Sequence, residues 1–443
     1  MRTIPLRHLA KITNSNVDKI SDPNELPVRL CNYVDVYKNE RITNNMDFMS
    51  ASATAMEIEK FSLRVGDVII TKDSEDRSDI AVPAFVAETA RNLLCGYHLA
   101  LLRARPELVR GEFLFWAIQS KHACKAFSNA ASGITRFGLA LAGIKRVALP
   151  CPELESQKLI ADFLDRETAR IDQLIEKKER LIGVLKTGHA SETLRVMRSG
   201  FDRIDYAGNA NRISFSGLKS SWKRMRIKQL VRHMTSGSRA WAEQIREDGE
   251  LFLQSGCITN MMKLSTEGAP RVAPQRSAEA NRTRVKAQDI LVCITGGRTG
   301  AVGFASEIRE TAYINQHICL VRPDPQKIIP KLLAQILFSE IGQLQFRMAQ
   351  YGLKQGLGFA EVANVVVPYP PREIQAALCR DIDSASRRLE SIAELVLLSI
   401  DRLREFRSAL ITAAVTGQID VTTWSRRGST DRRLDQIEEE MST

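Results

Sequence analysis

The sequence predicts a mixed α/β chain with a pseudo-twofold internal duplication, in which two α/β domains are separated by two long antiparallel coiled-coil helices. Three observations predict it. A proline-rich helix start occurs twice, at Pro150–Gln157 and at Pro368–Gln375, with matching prolines and glutamines 218 residues apart. The globular halves repeat strand-like segments that include His98 and His317. Each copy then changes to a long helical period of apolar and charged residues.

Each globular half is predicted to alternate short strands with turns and to carry one helix. The first half covers residues 1–150 and the second covers residues 221–370. Strands are predicted at Val28–Tyr33, Asp67–Thr71 and His98–Leu102. The helices are predicted at Gly111–Ser120 and at Pro330–Phe338, where the first position tolerates a proline.

Two long helices are predicted at residues 151–202 and 371–420, each roughly 60–65 Å long at 1.5 Å per residue. Apolar residues recur at steps of three, four or seven. The stripe expected to face the other helix or a partner subunit consists of Ile160, Leu164, Ile171, Ile175, Leu378, Ile382, Leu389 and Val396. Because neither helix can bury its own stripe, antiparallel pairing is predicted. Gly183 and Gly188 predict fraying or a kink in the first helix.

The remaining segments have compositions typical of irregular structure. Residues 203–220 are rich in Gly, Asn and Ser and are predicted to be a linker. Residues 421–443 contain paired arginines and a glutamate run with few apolar residues, which predicts a disordered tail.

The charge balance favours a polyanionic partner. The chain has 63 Lys and Arg against 52 Asp and Glu, a net charge of +11. Basic surfaces attract nucleic acid through phosphate contacts and counterion release. The eight cysteines are scattered singly, which argues against a zinc site or a disulfide framework. No signal peptide and no apolar run long enough for a membrane span is visible, so we expect a cytoplasmic protein without a membrane partner.

Catalytic signatures are missing from the sequence. The turn Gly296–Gly300 lacks the lysine of a phosphate-binding loop. Val367–Pro370 is a scrambled form of the Asn/Asp-Pro-Pro-Tyr motif of amino-methyltransferases, and Pro323–Lys327 offers only one carboxylate for a nuclease site. His98 and His317 occupy equivalent strands, so structural roles in the two domain cores are the simpler interpretation. We therefore predict no catalytic residue and no metal ligand.

With these residues assembled, the chain resembles the specificity (S) subunit of type I restriction–modification systems. The resemblance is strongest in Pro152–Gln157, Ile160–Thr168, Ile171–Ile175 and Ala409–Gly417. In the second helix, Asp381–Ser386 differs from the sequence that the family usually has in its first helix. Both the start and the end of the helix repeat, which a coincidental coiled coil would not show.

The resemblance implies two target-recognition domains, each reading one half of a bipartite, asymmetric site in double-stranded DNA. The helices would set the spacing and dock two methyltransferase (modification) subunits. Those subunits would bind S-adenosylmethionine and methylate adenine, while restriction/translocase subunits would use ATP and Mg²⁺. The S subunit itself would be non-catalytic and would hold no cofactor.

Loops that follow the shared strands differ between the halves and are the predicted DNA-reading elements. The candidates are Lys72, Arg77, Arg136, Arg298, Lys354 and Gln355. Arginine can pair with guanine and glutamine with adenine, whereas lysine more often binds phosphate. The alternative is that each is an ordinary solvated side chain.

Two other functions are compatible with parts of the sequence. A coiled-coil scaffold joining two protein-binding domains would need the helices but not the basic charge. A nuclease or methyltransferase in its own right would need a catalytic motif, and none was found.

Overall fold

The computed structural model describes residues 2–20, 22–133, 136–206, 213–238, 241, 245–274, 277–350 and 356–423. The chain forms two compact units. Unit 1 contains Met1–Glu176 and Ile400–Thr443, and unit 2 contains Lys177–Ser399. The division runs through both long helices, whereas the sequence suggested divisions at their ends. Each unit therefore consists of one globular half with part of both helices.

Unit 1 contains twelve strands within its described residues and six short helices. The strands are β1 (Thr3–Pro5), β2 (Ala10–Asn14), β3 (Leu26–Cys31), β4 (Arg41–Ile42), β5 (Met49–Ala53), β6 (Val68–Thr71), β7 (Asp73–Ser74), β8 (Pro83–Val86), β9 (Leu93–Cys95), β10 (Leu99–Ala104), β11 (Phe137–Gly138) and β12 (Ala148–Pro150). The helices are α1 (Leu6–Leu9), α2 (Tyr33–Lys38), α3 (Ala55–Phe61), α4 (Gly111–Ile118), α5 (Lys121–Ala130) and α6 (Leu141–Arg146).

The long helices are α7 (Leu154–Met197) and α13 (Arg372–Val415). The strands of unit 2 are β13 (Arg203–Tyr206), β14 (Ile213–Ser216), β15 (Lys223–Arg226), β16 (Val231–Ser236), β17 (Ile245–Arg246), β18 (Glu250–Leu253), β19 (Arg271–Val272), β20 (Ile290–Cys293), β21 (Val302–Phe304), β22 (Ala312–Ile314), β23 (Ile318–Pro323) and β24 (Val366–Tyr369). Its short helices are α8 (Ile227–Leu230), α9 (Ala278–Thr283), α10 (Pro330–Phe338), α11 (Glu340–Ala349) and α12 (Phe359–Asn364), with 3₁₀ turns at Ser255–Cys257 and Asn260–Met262.

The two units repeat the same sheet order. In unit 1 the strands run β2-β10-β6-β8-β4, and in unit 2 they run β16-β23-β20-β21. The first four strands correspond one to one, and the pairs β10–β6 and β20–β23 are both antiparallel. A second sheet in each unit contains a parallel pair, β3–β9 and β18–β22. The predicted α/β duplication is therefore confirmed.

A bidentate ion pair recurs at the same place in both units. In unit 1, Nε and Nη2 of Arg103 donate to the carboxylate of Asp67 at 2.8 and 2.7 Å. In unit 2, Arg322 donates to Asp289 at the same two distances. Both carboxylates are buried, and each pair joins the second strand of its sheet (β10 or β23) to the turn before the neighbouring strand (β6 or β20).

The repeated glutamines attach each long helix to its own globular half. Gln157 and Gln375 are both completely buried. Nε2 of Gln157 donates to the Pro152 carbonyl at 2.8 Å, and its Oε1 accepts from the Arg110 amide at 2.8 Å. Nε2 of Gln375 donates to the Pro370 carbonyl at 3.2 Å, and its Oε1 accepts an amide hydrogen bond of 2.9 Å. Buried amides without such partners would destabilise the fold.

The long helices are paired within each unit. In unit 1, Ile160, Leu164 and Ile171 of α7 share a core with Leu410 and Ile411 of α13. In unit 2, the last part of α7 shares a core with Leu378 and Ile382, near the start of α13. This order of partners is that of an antiparallel pair, as the sequence predicted. The same cores include α4 and α10, so the stripes also pack on the globular halves.

Both long helices are continuous, and α7 runs through Gly183 and Gly188 to Met197 without a break. A Cβ added at Gly188 would lie 3.3 Å from the Leu389 side chain, so this glycine allows α13 to approach closely. The predicted linker contains a two-stranded antiparallel sheet of β13 and β14, with Ile213 and Phe215 buried. The tail from residue 424 onwards lies outside the described residues.

All eight cysteines are free, and within the described ranges no three His, Cys, Asp or Glu side chains group as a metal site would require. In the same ranges, no helix combines the length and the apolar character needed to cross a bilayer.

Candidate nucleic-acid interface

The first DNA-reading candidate, Lys72, is already paired in unit 1. Its Nζ lies 3.1 Å from the carboxylate of Asp73 and 4.9 Å from the centre of the Tyr97 ring. The same carboxylate is 2.6 Å from Nδ1 of His98. Burial alone would raise the pKa of Asp73, but the hydrogen bonds from His98 and Lys72 lower the pKa overall. Lys72 therefore stabilises an ionised Asp73, and it could reach a phosphate only by leaving that partner.

The second candidate, Arg77, supports a helix end. Its Nε donates to the Ser128 carbonyl at 2.9 Å, and its Nη2 donates to the Ala131 carbonyl at 3.5 Å. These carbonyls belong to the last turn of α5 and its cap, where the helix leaves acceptors unpaired. Arg77 thus connects the loop after β7 to α5, a structural role that the sequence did not reveal.

Arg136 fits the predicted role best among the unit 1 candidates. It is exposed and lies directly before β11, which pairs with β7. Burial and the Asp79 carboxylate raise the pKa of Tyr33, and the nearby Arg136 charge opposes that rise. The Arg136 charge therefore lies close enough to Tyr33 to affect it, as do the charges of Asp73 and Asp79.

Three tyrosines beside these loops were missed by the sequence reasoning. The rings of Tyr33 and Tyr37 stack on α2 with centroids 5.6 Å apart. The Tyr37 hydroxyl donates to Asp79, and this hydrogen bond is the main cause that raises the pKa of Tyr37 to about 12. Tyr37 and Tyr97 are 43% and 47% exposed. Exposed tyrosines can donate to phosphate or base edges. The sequence analysis had placed Tyr33 at the end of a strand, but β3 ends at Cys31 and Tyr33 begins α2. The spacing of four between Tyr33 and Tyr37 was the signal that was missed.

Unit 2 places different chemistry on the equivalent strands. Nδ1 of His317 is 2.5 Å from the Thr295 hydroxyl, and its Nε2 is 3.1 Å from the Gln316 amide. Thr295 follows the end of β20 at the position where Asp73 follows the end of β6. Both histidines are hydrogen-bonded, as predicted, but both are partly exposed near the loops and do not lie in the domain cores. At equivalent positions, the shared frame therefore presents the carboxylate of Asp73 in unit 1 and the hydroxyl of Thr295 in unit 2.

Arg298 is exposed in the turn Gly296–Gly300 that follows β20. It lines an open cleft of about 410 Å³ together with Lys186 of α7. Lys354 and Gln355 lie outside the described residues. The chain is described again from Gly356, and the Leu357 amide donates to the Ile294 carbonyl at 2.8 Å, at the start of the same turn.

The loops of unit 1 belong to a segment that matches a known family. The model of the type I restriction modification DNA specificity domain matches residues 16–182. Residues 16–182 belong to this family. The match covers the globular half of unit 1 and most of α7, and it confirms the family predicted from the sequence.

Similar proteins have the same description. The type I restriction enzyme EcoBI specificity subunit of Escherichia coli is 21% identical over 298 residues, which are 65% of this chain and 62% of that protein. The S subunit of a type I restriction–modification system from M. genitalium has 14% identity and a TM-score of 0.37, with 94% of this chain and 96% of that chain covered. The HsdS subunit from Thermoanaerobacter tengcongensis has 16% identity and a TM-score of 0.38, with 94% and 97% covered.

Proposed function

We propose that the chain is the DNA-recognition subunit of a type I restriction–modification complex. Each unit would read one half of a bipartite, asymmetric site in double-stranded DNA. The chain would contribute no catalytic residue and no cofactor. The matched segment spans less than two thirds of the E. coli relative, so the role of the whole chain is part of this proposal.

The observation that carries the proposal is a duplicated frame with different loops. The pairs Asp67–Arg103 and Asp289–Arg322 have the same geometry, so the two sheets are built alike. The groups after β6 and β20 differ, with Asp73 in unit 1 and Thr295 in unit 2. A carboxylate can accept from cytosine N4, whereas a hydroxyl can donate or accept. Two sheets of the same construction that carry different loop residues suit the recognition of two different half-sites.

The long helices suit a role as spacer and docking surface. Each is 44 residues long, roughly 66 Å at 1.5 Å per residue, which exceeds one DNA turn of roughly 34–36 Å. Two methyltransferase subunits would dock on the helices and bind S-adenosylmethionine. Restriction/translocase subunits would supply the ATP- and Mg²⁺-dependent steps. The complex would act on DNA in the cytoplasm.

The test is methylome sequencing of a host that lacks other DNA methyltransferases. The chain is expressed with its methyltransferase subunits, and the matched control carries the same subunits without the chain. We expect adenine methylation at one split, asymmetric sequence only when the chain is present. Methylation that persists without the chain, or that falls on a continuous motif, would contradict the proposal. A scaffold without DNA contacts would leave the methylated sequence independent of the loop residues.

A further inference from the structure

The cleft between α7 and the turn after β20 contains two cations, and its described lining includes no acidic residue. It is lined by Lys186, Thr259, Arg298, Thr299, Phe338 and Gln343, together with backbone of the turn. No Asp or Glu is among the described residues that line it. Within the described chain, neither Lys186 nor Arg298 makes an ion pair. A surface cation in a folded protein commonly lies near an acid, so this arrangement needs an explanation.

The two charges are close enough to affect each other. Partial burial, and then the charge of Arg298, lower the pKa of Lys186. Like charges held together raise the free energy of the folded chain, unless an anion lies between them or beside them. The other polar groups of the cleft are already bonded. The Gln343 amide donates to the carbonyls of Gly300 and Leu337 at 2.9 and 3.0 Å.

The turn leaves space for a ligand above it. A Cβ added at Gly296 or at Gly297 would meet no atom within 4 Å. Gly296 has a φ of +91°, a conformation that lets the chain reverse directly after the buried strand β20. The Thr299 hydroxyl donates to the Gly296 carbonyl at 2.6 Å, which fixes the turn and leaves the hydroxyl oxygen able to accept. Within the described residues, the turn therefore presents Arg298 on a hydrogen-bonded support that no other side chain covers.

We propose that Lys186 and Arg298 together bind one phosphate group of the DNA backbone. This inference rests on the proposed function. It adds a residue of the long helix to the DNA interface and assigns Arg298 to phosphate contact, whereas the sequence suggested base contact. Lysine and arginine are the usual phosphate partners, and such contacts fix the register of a protein on the duplex without reading its sequence. A helix that contacts the backbone beside a recognition loop would position that loop.

The test compares the salt dependence of DNA binding by full-length variants. Fluorescence anisotropy with two 40-base-pair duplexes of unrelated sequence is measured for the wild type, Lys186→Gln and Arg298→Gln. The matched control is Arg195→Gln, which removes a charge from the same helix where Glu192 already pairs with it at 2.7 Å. We expect Lys186→Gln to make the negative slope of the log association constant against log salt concentration shallower by about 1, equally on both duplexes. Arg298→Gln should behave alike, and Arg195→Gln should leave the slope unchanged.

The outcomes separate the two proposals. If Lys186→Gln keeps the wild-type slope while DNA binding itself is normal, the phosphate site is wrong and the proposed function stands. If Arg298→Gln alters binding to one duplex only, Arg298 contacts a base and the shared phosphate site is also wrong. If the wild type binds neither duplex, a second measurement decides. Thermal midpoints are then compared in inorganic phosphate and in chloride at equal ionic strength.

Stabilisation of the wild type by phosphate, and not of Lys186→Gln, would assign the cleft to free phosphate and reject the DNA backbone as its ligand. Equal midpoints in both salts would reject the anion site altogether. Folding of the variants is checked in the same series. Because Lys186→Gln removes a repulsion, its thermal midpoint at low salt should equal or exceed that of the wild type. A lower midpoint would contradict the argument from unpaired cations.

Discussion

His189 of α7 and Glu390 of α13 form a hydrogen bond of 3.1 Å inside unit 2. The histidine is 1% exposed and its ring packs edge-on against Phe338. No partner within the described chain reaches its Nδ1. An ionised carboxylate can only accept, so Nε2 of His189 carries the hydrogen and donates it to Glu390. The hydrogen bond from His189 lowers the pKa of Glu390 although partial burial opposes it.

The first prediction follows from the sign of that shift. A carboxyl group whose pKa is lowered by folding stabilises the protein above its unfolded pKa of about 4.3, and the contribution is lost as the pH falls through the folded value. Glu390→Gln should therefore lower the thermal midpoint at neutral pH. The difference from the wild type should shrink as the pH falls below about 4.5.

A control for this prediction lies one helical turn further along α13. Glu394 forms an exposed ion pair with Lys263, and such pairs contribute little to stability. At neutral pH, Glu394→Gln should therefore shift the midpoint far less than Glu390→Gln. Equal effects of the two substitutions, or a Glu390→Gln effect that is independent of pH, would show that the buried hydrogen bond does not act as described.

The second prediction concerns the duplicated ion pair. Asp67→Asn should destabilise unit 1 by about 2–4 kcal/mol, because the half-buried guanidinium of Arg103 loses its only carboxylate partner in the described structure. Asp289→Asn should do the same to unit 2. Hydrogen exchange resolves the two units, and each substitution should accelerate exchange mainly in its own unit. Loss of protection spread evenly over both units would contradict a stabilising role confined to the unit that contains the substituted pair.

The sequence predicted features that depend on local pattern and on repetition. The repeat of prolines and glutamines at the two helix starts could be recognised in the sequence. It is present because Gln157 and Gln375 make equivalent hydrogen bonds to the backbone. The sequence could not show that Asp73 binds both Lys72 and a histidine 25 residues away. It gave no sign that Arg77 would reach the end of α5. Lys186 and Arg298, 112 residues apart, line one cleft only because the last part of α7 packs within unit 2. Such contacts arise from tertiary packing, which residue spacing does not encode.

The third prediction tests the remaining reading candidate of unit 1. Arg136→Ala should cost about 1–3 kcal/mol in DNA affinity and should relax the sequence preference of one half-site only, if the guanidinium contacts a base. Methylome sequencing of the variant complex is the measurement. Arg77→Ala is the contrasting variant, since its guanidinium is engaged with α5. It should lower stability and leave both half-sites unchanged. An altered half-site with Arg77→Ala, or none with Arg136→Ala, would reverse the assignment.

The last prediction concerns the length of the helices. Because α7 and α13 are paired within each unit, a deletion in one helix alone would displace apolar contacts of the other. Matched heptads are therefore removed, residues 177–183 of α7 and residues 396–402 of α13. They begin five residues after Asp172 and end five residues before Arg407, which are joined by a 2.9 Å hydrogen bond. A heptad preserves the apolar stripe and shortens each helix by roughly 10 Å. If the helices set the spacing, the two half-sites should be methylated with a gap shorter by up to about three base pairs and with unchanged sequences.

A deletion of four residues in each helix is the comparison, since it rotates the stripe and should reduce assembly. An unchanged gap in a folded, active heptad variant would show that the helices do not determine the distance between half-sites.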